Sequence, residues 1–463
     1  MRLKNKNLEI PHDNIFLNDK LQRINSVKNL TLLLRNVSSP LVFSVNAPWG
    51  AGKTTYLKML HASLIAENSK SIYFSAWETD FAVDPLLAFL GEMNSSLSRF
   101  LVGDSKKLKA WRKVKAAGVH IMRRSIPVGV KLATAGLIDA DKLVEDEVGK
   151  VTESLSKDVI DAYSKNKEAI SEFKKNVSEV LRAADGGVEK LYIFVDELDR
   201  CRPTYAIELL ERVKHLLDIE GLVFVLALDK VQLAHSVKAV YGADFDALGY
   251  LRRFIDIEFS LPSTGTEFFI NHLFDHFELD EYFGGRTAGE TVYDRESLLN
   301  SLKVVCSGMS LRSIEQLFSK IKLISLTVAN NQYFFPEFMV FLLSVKDNYP
   351  KIYSEFSRQE ADGKELLSLI DKVFPGGDDQ SVWTRQYLEA VIVSGKMRGA
   401  RSWSENHVML LKGIVNSNMV APEKLEHSRR VLELIQNMNR MGGSVPLVEL
   451  LSRIEMLSNF NFD

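Results

Sequence analysis

The stretch Ala47-Pro48-Trp49-Gly50-Ala51-Gly52-Lys53-Thr54-Thr55 constrains this chain more than any other. It follows LVFSVN (Leu41 to Asn46), a short apolar and β-branched run that reads as a buried strand. It precedes Thr54 to Ala66, where Leu57, Leu60 and Leu64 fall on one helical face. A strand, a glycine-containing turn and a helix in that order build an anion cradle. Gly50 and Gly52 let the backbone curl so that successive N–H groups turn inward, and the helix start adds the positive end of its dipole. The stretch meets the Walker A pattern GxxxxGK[ST] everywhere except the first position, where Ala47 replaces Gly. That departure predicts a backbone held at negative φ at Ala47, or a small strain there. Lys53 is placed to reach the β- and γ-phosphates of a nucleotide, and the Thr54 hydroxyl to ligate Mg²⁺. Trp49, Ala51 and Thr55 complete the expected cradle.

A second motif follows in the required order. LYIFVDELDR is an apolar strand ending in Asp196 and Glu197. Asp196 would hold Mg²⁺ through water, and Glu197 would act as general base toward an attacking water. A strand end can carry carboxylates for no chemical reason; the pairing with the first motif is what makes this one specific. Further apolar runs, SIYFSAW (Ser71 to Trp77), GLVFVLALD (Gly221 to Asp229) and FIDIEFSLP (Phe254 to Pro262), alternate with helical patterns. Asp13 to Val37 reads as a linker and then a helix, with Leu21, Ile24, Val27, Leu30 and Leu33 at helical spacing. Alternation of this kind predicts an α/β class: a mostly parallel five-stranded sheet covered by helices. After Pro262 the patterns are helical to about Gln436, with a loop at Pro375 to Gln380 and packing positions at Val431, Leu434 and Ile435. The expected organisation is 1–103 for the first half of the core, 104–186 for a charged helical insertion, 187–262 for the second half, 263–332 for a helical subdomain and 333–463 for a C-terminal helical domain.

Composition bounds the partners. The chain has 463 residues with a net charge of −2, so the molecule as a whole is no obligate nucleic-acid binder. Cys201 and Cys306 are its two cysteines, with no CxxC or zinc spacing, which excludes a disulfide framework and fits a reducing cytoplasm. No signal peptide is visible at the N-terminus, and no run approaches the ~20 apolar residues of a spanning helix. A cytoplasmic protein is expected.

Beyond the two motifs, NAPWGAGKTTYLKML, YFSAWETDFAVDPLLAFLGEM, IFVDELDRCRPTYAIELLERVKHLLDIEGLVFVLALDK and YLRRFIDIEFSLP together resemble the KAP P-loop NTPases from about Asp13 to Lys322. That family pairs a PWGxGKT loop with a second-strand motif similar to FNPW and a Walker B similar to DDLDRC. Here Ala76-Trp77 stands for Pro-Trp, and Glu197 for the commoner Asp. The resemblance implies an ATPase with Mg²⁺, and the absence of a guanine-specifying NKxD motif agrees with ATP. It further implies a sensor-like place for Asp229, which is equally readable as a helix N-cap. Arg252 and Arg253 precede the fifth strand, where related ATPases place an arginine finger; a solvated pair at a helix end is the plainer reading. Arg312 looks like a sensor-2 residue, with Leu311 replacing the usual Pro. Asp199 and Arg200 read as an ion pair shaping the site, or as the start of the next helix.

Between the motifs, Lys106 to Arg124 holds eight Lys or Arg and no acid. Many prokaryotic members of the resembled family carry transmembrane hairpins here. The run Ile126 to Ile138 is thirteen residues long and contains Lys131, too short and too polar to span. Acidic Asp139, Asp141, Glu145, Asp146 and Glu147 follow. Three readings stay open: basic and acidic arms pairing with each other, a nucleic-acid arm with Trp111 stacking among the cations, and a membrane-surface helix. The expected function is a nucleotide-dependent switch controlling a protein partner or homo-oligomer, in bacterial anti-phage defence by resemblance. The alternative is a nucleic-acid-stimulated motor or clamp-like machine.

Overall fold

The computed structural model describes residues 10–11, 13–17, 19–82, 84–101, 103–123, 168–183, 185–214, 218–262, 265–286, 291–330, 332–358, 363–395, 401–417, 419–440 and 447–460. Five strands, β1 (Leu41–Asn46), β2 (Lys70–Ser75), β3 (Leu191–Asp196), β4 (Leu222–Leu228) and β5 (Ile257–Ser260), form one sheet in the order β2-β3-β4-β1-β5. Every pairing is parallel. Each residue of β3 and β4 is buried, as continuous apolar strands covered on both faces must be. The register sets Ser75 beside Asp196 and Asn46 beside Leu228 and Ser260, so the carboxyl ends of the strands finish together. In open parallel sheets that edge is where ligands bind.

Helices α1 (Ile24–Asn36) and α2 (Lys53–Ala66) cover one face, burying Val27, Leu30, Leu34, Leu57, Leu60 and Leu64 with Phe43 and Phe194. On the other face lie α3 (Pro85–Phe100), α4 (Ser105–Arg123), a helix over 168–180 and the helices Pro203–Val213 and Lys230–Tyr241. Three boundaries differ from expectation. The α1 face contains Thr31 and Leu34, while Leu33 is 46% exposed. A strict three-residue step drifts about 60° each time around a 3.6-residue helix, so the progression through Leu33 leaves the buried side. β2 stops at Ser75 because, after one last bond from Ala76 N–H to Asp196 O at 2.9 Å, the chain turns back as Thr79 and Asp80 N–H close on Ala76 O and Trp77 O. β5 begins late, since Arg253 and Phe254 close a turn on Tyr250 and Leu251 before Asp256 N–H reaches Val42 O.

The chain separates into two compact units, one built on Arg23–Ser263 with residues 8–19, the other on Thr264–Asp463 with Lys20–Gln22. In the second, the described residues form helices and no strand. Its core runs from Phe269 to Leu457 around the helix Pro336–Asn348, in which every residue from Pro336 to Val345 is buried. A helix apolar on all sides belongs at the centre of a bundle. A smaller cluster gathers Ala390, Val393, Leu411, Val431 and Ile435, with Leu434 packed against it. The loop at Pro375 ends sooner than expected: Asp378 caps a helix starting at Asp379, accepting from Ser381 N–H at 3.0 Å. Helices continue past Gln436 to Met456. No helix among the described residues is long and apolar enough to cross a membrane. Ile126 to Ile138 and the acidic run from Asp139 to Glu147 lie outside the described residues.

Candidate functional site

The loop after β1 has the conformation its glycines predict. Gly50 and Gly52 take φ of 76° and 79°, a region that costs a side-chain-bearing residue strain. Ala47 is not among the positive-φ residues, so its departure from Gly is accommodated without strain. Lys53 opens α2, is 9% exposed, and donates from Nζ to Ala47 O at 2.7 Å and Pro48 O at 3.3 Å. Its other close partner is Asp199 Oδ2 at 3.6 Å. Thr54 and Thr55 are half-buried in the first turn of α2, directly after the lysine.

β3 delivers the acids. Asp196 is 2% exposed; Oδ1 accepts from Glu197 N–H at 2.8 Å and Oδ2 from the Tyr73 hydroxyl. Burial, then the neighbouring Asp196 charge, pushes the Tyr73 phenol up, so it remains a donor. A carboxylate has about four lone-pair sites, so Asp196 keeps acceptor capacity for a hydrated cation. Glu197 sits at φ 61°, a left-handed conformation uncommon for this residue type. Its Oε2 accepts from Ser75 Oγ at 3.0 Å and its Oε1 lies 2.7 Å from Arg200 Nη1. Arg200 in turn stands over the Trp77 ring, 5.8 Å from the centroid.

The expected pairing of Asp199 with Arg200 is therefore replaced by two other contacts. A short 3-10 turn, Leu198–Arg200, sends the neighbouring side chains in opposite directions. Asp199 is buried, and its Oδ2 accepts from Trp49 Nε1 at 2.6 Å and Asp229 N–H at 3.0 Å, beside Lys53. Asp229 does cap the following helix, its Oδ1 accepting from Val231 and Gln232 N–H. Its Oδ2 also accepts from Trp49 N–H at 3.2 Å, tying the cap to the loop. Gly50, Ala51 and Gly52 thus run between a loop start held by two aspartates and a helix start carrying Lys53.

Other expected site residues lie elsewhere. Arg252 and Arg253 are exposed just before the edge strand β5, and, after the Lys230 hydrogen bond, the Arg252 charge is among those that hold the Glu258 carboxyl below its ordinary value. Arg312 is exposed in the first turn of the helix Leu311–Ser325, in the helical unit. On α4, Lys106, Lys109, Arg112 and Lys113 face solvent, while Lys107 pairs with Glu189 at 3.1 Å. Trp111 is 4% exposed, packed in the core with Nε1 on Asn94 Oδ1, so it cannot stack on bases. Leu108, Ala110, Val114 and Ala117 of α4 pack into the same core.

Three groups escaped sequence reasoning. Tyr73 and Ser75, alternate residues of β2, present hydroxyls to Asp196 and Glu197; polar residues at period two in an otherwise apolar strand were the only trace in the sequence, and the pairing with β3 was not legible there. Arg23, which reaches the carbonyls of Ala51 and Gly52, gave none, because nothing in its neighbourhood forms a motif.

The KAP family P-loop domain model matches residues 23–328. A comparison with curated proteins finds no match. Among solved structures, the chain is similar to the Aeropyrum pernix ORC1 protein in complex with DNA at 10% identity, covering 94% of this chain and 92% of that one, TM-score 0.30. The AMPPCP-bound DnaA from Aquifex aeolicus aligns at 11% identity over 97% of both chains, TM-score 0.30. The Aeropyrum pernix ORC2 protein, in ADPNP–ADP complexes, aligns at 12% over 94% of both, TM-score 0.32. Likeness at that level of superposition says nothing of function.

Proposed function

Because the chain belongs to the KAP family of P-loop domains, we propose that it is an ATP hydrolase whose nucleotide state switches a partner. The observation that carries this reading is the convergence of Lys53, Asp196 and Glu197 at the carboxyl ends of β1 and β3. In this reading the N–H groups of Gly50 to Thr54 and the Lys53 ammonium hold the phosphates, and Thr54 and Asp196 hold Mg²⁺. The bound metal supplies charge neutralisation at the phosphates. Glu197 accepts the proton of the attacking water, and the Arg200 contact on its Oε1 lowers its basicity until that contact is loosened. An acid held by Ser75 and Arg200 suits a switch whose resting turnover is low and whose partner changes that contact.

Arg252 and Arg253, exposed at the sheet edge, supply the added cation to a neighbouring copy. The C-terminal helices carry the output, the protein works in the cytoplasm, and its role is in anti-phage defence, testable by plaque counts with and without the intact loop. One titration series tests the core of the proposal. Mg·ATP binds the wild-type chain tightly and Lys53→Ala abolishes that binding; unchanged affinity removes the phosphate-loop assignment. Turnover per subunit rises with concentration, and Arg253→Ala mixed with Lys53→Ala regains activity, because each supplies what the other lacks. A flat concentration response without rescue returns these arginines to a structural role. The second reading, a nucleic-acid-stimulated machine, is favoured by the four outward cations of α4; DNA or RNA raising turnover several-fold would select it.

A further inference from the structure

Arg23 precedes α1 and is 5% exposed, an unusual place for a guanidinium without a carboxylate bonded to it. Burial holds its pKa below the ordinary arginine value. The Asp19 charge partly offsets that burial, but the guanidinium's hydrogen bonds go to backbone carbonyls: Nη1 lies 3.1 Å from Ala51 O and 3.5 Å from Gly52 O, and Nη2 lies 3.2 Å from Pro262 O. Its plane stands 6.0 Å from the centroid of the buried Tyr56 ring, whose hydroxyl is 2.8 Å from Ser26 Oγ. The side chain is thus clamped by a ring of α2 and by three oxygens from two separate segments.

The two loop carbonyls have a definite meaning. In a trans peptide the C=O and the next N–H point in opposite directions. Holding the Ala51 carbonyl fixes where the Gly52 N–H points, and holding the Gly52 carbonyl fixes the Lys53 N–H. Those N–H groups are the last of the loop and the first of α2, where the phosphate donors are densest. The Gly52 carbonyl also accepts from Tyr56 N–H at 3.1 Å, so α2 itself fixes the Lys53 N–H, whereas the Ala51–Gly52 peptide, beside a glycine at φ 79°, keeps its freedom to rotate. A cation on the carbonyl side removes that freedom and keeps the donor aimed. The third oxygen, on Pro262, ties the same pair to the end of β5, two residues before Thr264 begins the helical unit.

We propose that Arg23 is a positioning residue for the phosphate loop, holding the Gly52 N–H toward the nucleotide from behind through the Ala51 carbonyl. This rests on the reading of residues 47–54 as a phosphate site. The planar fork matters: it spans carbonyls on two segments, which a lysine's single ammonium cannot do.

The test is steady-state ATP hydrolysis by the full chain with Arg23→Gln and Arg23→Lys, alongside titration with ADP. Arg23→Gln raises KM and the ADP Kd at least ~10-fold while kcat stays within about threefold, as loss of ground-state phosphate binding requires. Arg23→Lys falls between wild type and Gln. A purely structural arginine gives the other signature, a lower kcat from a smaller folded fraction at unchanged KM and Kd, and that result overturns the proposal. If circular dichroism shows that Arg23→Gln does not fold, Arg23→Lys decides by the same split. A wild-type chain that binds ADP but whose Arg23 variants bind it equally well refutes the positioning role alone; a wild-type chain that binds no nucleotide refutes the loop reading with it.

Discussion

Lys53, Asp196, Asp199 and Asp229 in the sheet unit are each less than a tenth exposed, and so are Glu337 and Arg286 in the helical unit. The two sets are satisfied differently. Around the loop, Lys53 meets the carbonyls of residues 47 and 48, Asp196 the N–H of Glu197, Asp199 the N–H of Asp229, and Asp229 the N–H groups of Trp49, Val231 and Gln232. In the bundle, Glu337 has Tyr293 at 3.3 Å on Oε1 and no partner for Oε2, while Arg286 donates to Gln332 O and the Tyr282 hydroxyl and lies 4.0 Å from Asp294, with Nε unpartnered. The reason is the backbone. Strand ends and helix starts expose N–H and C=O groups that no ladder uses, whereas the middle of a helix has none to offer. The four buried charges at the strand ends are met by such groups, whereas Glu337 buries a carboxylate oxygen with no partner.

Three measurements sharpen or break that contrast. The largest effect belongs to the sheet unit: Glu197→Gln lowers hydrolysis at least ~100-fold with Mg·ATP binding and thermal midpoint nearly unchanged, general-base catalysis being worth about 10²–10⁴. Near-normal turnover would pass the role to Asp199.

Next comes acid sensitivity of the same unit. His61, between Tyr73 and Phe194 with Nδ1 on Ser71 Oγ, is lowered to about 4 by burial. A lowered folded pKa means that stability is full above the ordinary histidine value near 6.5 and is lost as pH falls toward 4. The loss is on the order of 3 kcal/mol at full protonation. Denaturant midpoints across that window should slope for wild type and flatten for His61→Gln; equal slopes would place the proton elsewhere.

The smallest effect has the opposite sign and lies in the bundle. Burial raises the Glu337 carboxyl, so its contribution is intact in acid and is lost as pH climbs above the usual carboxylate range. Glu337→Gln removes that loss, raising the thermal midpoint by a few degrees at pH 8, where about 2–4 °C corresponds to each kcal/mol in a domain of this size, and by less at pH 5. A larger gain at pH 5 would mean that Glu337 is ionised and partnered in the fold.

The five strands were legible because buried parallel strands are continuous apolar runs, and the loop because phosphate binding demands glycines and a lysine at fixed spacing. Strand order, and hence which hydroxyls face which acids, was not: pairing β2 with β3 is a long-range choice, and it alone brings Tyr73 to Asp196 and Ser75 to Glu197. The readings of Trp111 failed for a related cause. A tryptophan among lysines looks like a stacking platform until the helix is rolled onto a core, and periodicity does not say which side of an insertion finds one.

By itself, then, the sequence determined the local chemistry: the curl at Gly50 and Gly52, the ammonium of Lys53, and the carboxylates at the end of β3. These depend on a few adjacent residues whose conformations are restricted by their own covalent structure. Only the tertiary structure decided that Asp199 turns to Lys53 and Trp49 while Arg200 turns to Glu197, and that Arg23 lies behind the loop. Those contacts join residues 28 to 150 positions apart or hinge on a single turn's direction, and a buried polar atom takes whichever partner packing leaves within about 3 Å.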